Sequence, residues 1–223
     1  MQLEVVVTDV DEAKAAQKGG ATRVELVRDL ERGGLTPDDR VIADVAESIT
    51  IPLHVILRPH DDGFVYGSRE QEELLRRASS MRGLGASALV FGALDRSGHI
   101  AVEIVTEVAA AAQLPITFHR AFDGVQRMSA AYAVLAAIAP VERVLTAGGS
   151  SSAWEGRERI RELSYGNTAP TVVAAGGIDA TNVMDLIHFS RVREVHVGRG
   201  ARSNGRVDSR RVHGLVGLLL KGT

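Results

Sequence analysis

Short apolar runs and amphipathic runs alternate from one end of this chain to the other, and the alternation repeats eight times. No other feature narrows the possible folds as far. The strand-like runs lie at 3–7, 23–27, 53–57, 88–91, 116–119, 143–146, 171–174 and 194–197, short and rich in aliphatic residues. Helical patterning fills the intervals at 9–18, 36–48, 68–84, 102–112, 129–138, 153–163 and 180–187, and a last helix covers 209–219. Local signals place several helix ends. Gly19-Gly20 stops the first helix, Thr36 followed by Pro37 reads as the cap and first position of the second, and Ser68 with Gln71 reads as the cap of the third. Eight strand–helix units in 223 residues predict a single (β/α)8 barrel of parallel strands, with residues 1–223 as one domain. A doubly wound open sheet is the alternative. It carries a glycine-rich nucleotide loop after its first strand, where this chain has Thr8-Asp9-Val10-Asp11.

Side chains alternate across a strand, so each strand can be divided into two faces. Leu3, Val5 and Val7 share one face of the first strand and leave Glu4 and Val6 on the other. The second strand leaves Arg23, Glu25 and Val27, and the third leaves His54, Ile56 and Arg58. The fifth leaves Thr117 and His119, and the eighth leaves Glu194 and His196. If the apolar faces cover helices, Glu4, Glu25, His54, Arg58, His119 and His196 converge inside the barrel. Burying so many ionisable groups costs several kcal/mol each unless they pair or bind something. They compose either a divalent-metal site (His54, His119, His196, Glu4 and Glu25) or an acid/base set with an arginine clamp for an anion. Buried Glu–Arg and Glu–His pairs that only hold the barrel together are the competing reading.

Arg120 and Asp123 follow His119 and complete the set of mouth candidates. Alternation turns Arg120 outward unless the strand has ended before it. Glycines at Gly148-Gly149, Gly176-Gly177 and Gly198 follow strands six, seven and eight, and in many barrels the loops after strands seven and eight hold phosphate. They are candidate anion-binding positions, although such pairs also serve as tight turns. Asp61-Asp62-Gly63 reads as a solvated turn, and His60, His99, His188 and His213 lie in loop or helix contexts without a role.

Composition excludes several classes. There is no cysteine, which rules out disulfides, thiolate nucleophiles and thiolate metal sites. Net charge is -2 with acids and bases interspersed, so no nucleic-acid footprint is expected. No apolar run approaches the ~20 residues of a membrane span, and the N-terminus has no signal-peptide pattern, so a cytoplasmic location is expected.

The runs LEVVVTD, GGATRVELVRDLERGGLTP, IPLHVILRP, ALVFGAL, LPITFHRAFD, RVLTAGG and EVHVG, in this order, resemble the CutC family, named for copper homeostasis. The resemblance spans nearly the whole chain. It implies a TIM-type barrel, a cytoplasmic homodimer or higher oligomer, and copper as the ligand. Members often carry cysteine where this chain has Val6 and Val27. Copper(I) favours soft sulfur ligands, so copper here would have to be Cu(II) held by histidine and carboxylate. The run Gly198-Arg199-Gly200-Ala201-Arg202 also departs from the family's usual ending.

Three functions therefore stand as expectations: copper handling, an enzyme acting on a small anionic or phosphorylated metabolite at the barrel mouth, and a non-catalytic scaffold.

Overall fold

The computed structural model describes residues 1–165 and 169–221. Eight parallel strands close into one barrel, each bonded to the next and the last to the first. They are β1 (Gln2–Val7), β2 (Arg23–Leu26), β3 (Leu53–Ile56), β4 (Ala88–Phe91), β5 (Ile116–Phe118), β6 (Val141–Thr146), β7 (Thr171–Ala175) and β8 (Glu194–Val197). The helices are α1 (Val10–Gly19), α2 (Asp39–Ser48), α3 (Ser68–Met81), α4 (Val102–Ala112), α5 (Met128–Ala136), α6 (Arg157–Ser164), α7 (Val183–Ser190) and α8 (Ser209–Lys221). The fold is a (β/α)8 barrel. A short antiparallel pair, β9 (Arg202–Ser203) with β10 (Arg206–Val207), follows β8 and was not visible in the sequence pattern. No helix among the described residues is long and apolar enough to cross a membrane.

The two faces of the strands separate as the alternation requires. Leu3, Val5, Val24, Leu26, Val55 and Val195 are buried in one cluster with helix residues such as Ala13, Ile42 and Val105. Burial of each such Val or Leu side chain contributes about 1.5–3 kcal/mol. The inner faces form two smaller apolar groups, Val6, Val27, Ile56 and Val90 on one side and Leu145, Val173 and Ala175 on the other. The charged interior lies with them.

Several helix ends differ from expectation, each for an identifiable reason. Thr36 does not cap α2. Its Oγ1 accepts from the Arg58 N–H at 2.7 Å, tying the β2–α2 loop to the end of β3. Ser68 is already helical. Gly67 precedes it, and the Glu70 carboxylate, not Gln71, accepts the Gly67 N–H at 2.7 Å. The α7 start moves from 180 to Val183 because Asp179 accepts from both the N–H and the hydroxyl of Thr181, closing a turn. The α6 start moves from 153 to Arg157. Gly156 packs so close to the preceding loop that a Cβ there would lie 1.9 Å from the Ala147 oxygen. β5 stops at Phe118, and residues Arg120–Gly124 form a turn of 3-10 helix.

Candidate active site

Strand register decides who meets whom inside the barrel. Glu4 on β1 lies opposite Arg23 on β2 and His196 on β8, and Glu25 on β2 lies opposite His54 on β3. Glu4 is fully buried. Its Oε2 accepts from Arg23 Nε at 2.6 Å, and its Oε1 from His196 Nδ1 at 2.7 Å. His54 Nδ1 stands 3.2 Å from Glu4 Oε2, off the line of a hydrogen bond. Below, Arg23 Nη2 reaches Glu194 at 2.7 Å, and Arg143 Nε donates to the same carboxylate at 3.2 Å. Above, His196 Nδ1 stands 3.2 Å from Glu25 Oε2. A charged ladder thus runs up the barrel through Arg143, Glu194, Arg23, Glu4, His196 and Glu25.

The charges decide the protonation of its top. Two arginines balance Glu4 and Glu194, which leaves Glu25 and His196 to share one proton. Burial alone would raise the Glu4 carboxyl. Arg23 and the two imidazoles outweigh it and hold the group well below its usual range. Burial pushes the Glu25 carboxyl up to about 7, with the Glu4 charge adding to the effect against the pull of His196 and Arg23. Burial lowers the His196 imidazole, but Glu25 and Glu4 together raise it above its ordinary value. Glu25 is thus held near neutrality beside a histidine whose proton affinity is raised.

At the carboxyl ends of the strands the ladder opens into a cavity of about 120 Å³. Glu25, His196, Arg58, His119 and Arg120 line it, together with Phe64 and an apolar wall that includes Val6, Ile56 and Leu145. His119 Nδ1 accepts the Ala121 N–H at 3.2 Å, so the neutral ring carries its hydrogen on Nε2. That Nε2 is buried and meets no partner among the described residues. Burial and then the nearby Arg58 push the His119 imidazole down to about 3, keeping it neutral. The Phe64 ring packs on His119 with centroids 4.9 Å apart, and the Arg58 guanidinium lies over the Phe64 ring, 5.0 Å from its centroid. Arg58 Nη1 donates to the Arg32 and Gly34 carbonyls at 3.3 Å, and its buried Nε has no partner.

Arg120 reaches the mouth because β5 has ended before it. Asp123 does not. Its carboxylate pairs with Arg120 Nε at 2.7 Å and accepts from Thr146 Oγ1 and from the N–H groups of Ala147 and Gly149. The turn at Gly148-Gly149, expected to bind an external anion, is therefore filled by the chain's own aspartate. Gly176 sits beside Arg120, where a Cβ would come within 3.5 Å of its guanidinium, and the Gly177 oxygen accepts from Asn182. The Gly198 oxygen accepts from Arg202 at 3.3 Å. Glu4 lies in the ladder with His54 beside it, and neither is among the cavity's lining residues. Another cleft, of about 200 Å³, lies at the opposite end, lined by Tyr132, Thr171, Arg191 and Glu194 among others. Its one acid, Glu194, is engaged by Arg23 and Arg143.

The cluster best placed for a metal is Glu4, Glu25 and His196, whose ligand atoms lie within 4.8 Å of one another. It fits copper poorly. It offers no sulfur, so Cu(I) is disfavoured. Both Glu4 oxygens already accept from Arg23 and His196. The His196 nitrogen facing the acids is a donor, with its hydrogen where a metal needs a lone pair. An ion there would have to displace the Arg23 pairing that neutralises Glu4.

Some residues of the site escaped the sequence. Phe64 lies in a loop with no periodicity to mark it. Arg23 and Glu194 were on the inward faces, but only the register shows that they neutralise Glu4 and each other. Arg143 already lay in the expected sixth strand, and only its contact with Glu194 across the barrel brings it in.

Fold and site together define a (β/α)8 barrel with a titratable, arginine-flanked mouth. The CutC family model matches residues 1–201. This chain belongs to the CutC family. It is 39% identical over 206 residues to the copper homeostasis protein cutC homolog of Mus musculus, covering 91% of this chain and 75% of that one. It is 40% identical over 196 residues to the family protein CutC of Xylella fastidiosa, covering 87% and 73%. The crystal structure of the putative copper homeostasis protein CutC of Streptococcus agalactiae superposes with a TM-score of 0.83 at 28% identity, covering 89% of this chain and 98% of that one.

Proposed function

We propose that this chain is an enzyme that binds a small anionic metabolite at the barrel mouth and moves a proton on it. One observation carries the reading. Arg58 Nε and His119 Nε2 are buried without hydrogen-bond partners, Glu25 Oε2 has only the His196 contact at 3.2 Å, and all three residues line the same cavity with Arg120. Buried polar atoms left unbonded are costly in a protein that has no use for them. A ligand with an anionic group and a polar reacting centre satisfies all three. Arg58 and Arg120 hold the anion, and Glu25 with His196 exchanges the proton.

The measurement is thermal unfolding with inorganic phosphate, sulfate and a panel of phosphorylated and carboxylated three- to five-carbon metabolites. Stabilisation by members of the panel, weakened at least tenfold in apparent affinity by Arg120→Gln, is expected. A melting curve unmoved by the entire panel would count against any ligand of this class.

Copper homeostasis, the role in the relatives' names, is a second reading. The Glu4–Glu25–His196 cluster favours it, and its poor fit to the ion weighs against direct binding by this chain.

A further inference from the structure

The residues around the cavity also limit what reaction they can perform. None of those lining it is a serine, threonine, cysteine, lysine or tyrosine. Covalent catalysis by those nucleophiles is absent, and Glu25 is the one carboxylate in the lining. Glu25 sits on β2 and His119 at the end of β5, three strands apart in a ring of eight, and both line the cavity from different strands of the barrel. One is a carboxylate whose Oε2 makes no hydrogen bond and has only the His196 ion-pair contact at 3.2 Å. The other is a ring fixed by the Ala121 N–H and by Phe64, presenting a single unbonded N–H. A base and a fixed neutral hydrogen-bond donor at one cavity with apolar walls are the minimum equipment for forming an enediol. The base removes a proton from carbon, and the donor holds the oxygen on which charge develops.

Resting on the small-anion reading above, we propose that the mouth catalyses proton transfer at the carbon next to a carbonyl, in an α-hydroxy aldehyde or ketone that carries a phosphate or carboxylate group. Glu25 takes the proton from the α-carbon. The electrons of the broken C–H bond form a carbon–carbon double bond, and the carbonyl pair moves onto oxygen, where the Nε2–H of His119 receives it. The proton then returns from Glu25 to the neighbouring carbon while the hydroxyl proton crosses between the two oxygens. Aldose and ketose interconvert with no net oxidation and no co-reactant. Arg58 and Arg120 bind the anionic group away from the reacting carbons. His196, 3.2 Å from Glu25, sets the proton affinity of the base. A neutral imidazole is the better partner in this role, because it stabilises the enediol without competing for the proton held by Glu25.

The test is proton NMR in D2O, following exchange of the α-hydrogen with three- to five-carbon aldoses and ketoses bearing phosphate or carboxylate. Dihydroxyacetone phosphate and hydroxypyruvate are the smallest members. Enzyme-dependent exchange is expected with at least one of them. Glu25→Gln should slow it about 10²–10⁴-fold and His119→Gln about 10²–10³-fold. Both variants should keep the melting-temperature shift produced by the same compound, which shows that they fold and bind. Stabilisation by these compounds with no exchange in the wild type would overturn the enediol chemistry and leave the anion site standing. No stabilisation and no exchange would overturn both. Exchange that persists in Glu25→Gln would remove Glu25 from the role of base.

Discussion

Glu25 shows how much one carboxyl depends on its surroundings. Its pKa is raised to about 7 from an ordinary value of 4.5, chiefly by burial. Between those values the folded protein holds a proton that the unfolded chain has released. The associated stability is therefore complete below about pH 4.5 and is lost as pH rises through about 7. His196, also raised, loses stability in the same direction. Replacing Glu25 by glutamine removes its own titration and the main cause of the His196 shift. The melting temperature of the wild type minus that of Glu25→Gln should therefore fall across that window, by an amount on the order of 2 kcal/mol when converted to stability. Calorimetry at half-unit pH steps checks this, and a difference that grows with pH would mean that Glu25 is ionised throughout. His119, three strands away, behaves oppositely because burial holds it neutral, and its contribution is lost as pH falls from 6.5 towards about 3.

Among the elements, the β9–β10 pair is the part whose role is least apparent from sequence. Arg202 on β9 is buried. Its Nη2 donates to Glu12 at 2.6 Å, and its Nη1 donates to the Val6 carbonyl at 2.9 Å. Glu12 is itself buried on α1 and accepts the Thr8 N–H at 3.0 Å. Arg206 on β10 grips Asp9, the cap of α1, through both of its terminal nitrogens. The pair thus clamps the β1–α1 loop from the far end of the chain. Arg202→Ala leaves the Glu12 carboxylate buried without its cation, which should cost about 3–5 kcal/mol. In urea titrations, Glu12→Gln combined with Arg202→Met should cost less than the sum of the two single changes, by 0.5 kcal/mol or more on typical coupling energies. Strict additivity would show that the two side chains do not support each other.

At the level of the whole molecule, the donor inventory makes the prediction. The chain has no cysteine and 4 methionines, and its candidate metal cluster is already neutralised by Arg23. Calorimetric titration with Cu(I) under anaerobic conditions is expected to show no stoichiometric binding, and chelator treatment should leave the melting temperature unchanged. Tight Cu(II) binding that disappears in His196→Gln would instead establish the cluster as a metal centre and overturn the fit argument.

Much of this architecture was legible in the chain itself. Eight alternating units specify a (β/α)8 barrel because each strand needs one face covered by helix, and a closed ring satisfies all eight without an edge. The period-2 alternation put Glu4, Glu25, His54 and His196 inside because side-chain direction follows from backbone pleat alone. Helix starts were less legible. Thr36 and Ser68 look like caps, yet a tertiary bond from the Arg58 N–H engages Thr36, and a local bond from the Gly67 N–H to Glu70 makes Gly67 the cap.

What only the tertiary structure decided is who faces whom. Asp123 looked as prominent as His119, but it turned to the N–H groups of the next loop, because a carboxylate satisfies a nest of donors better than solvent does. Phe64, Arg143 and Glu194 entered the site through contacts between residues far apart in sequence. Local pattern determines direction and period, whereas charge balance depends on strand register across the barrel. No single segment contains that information.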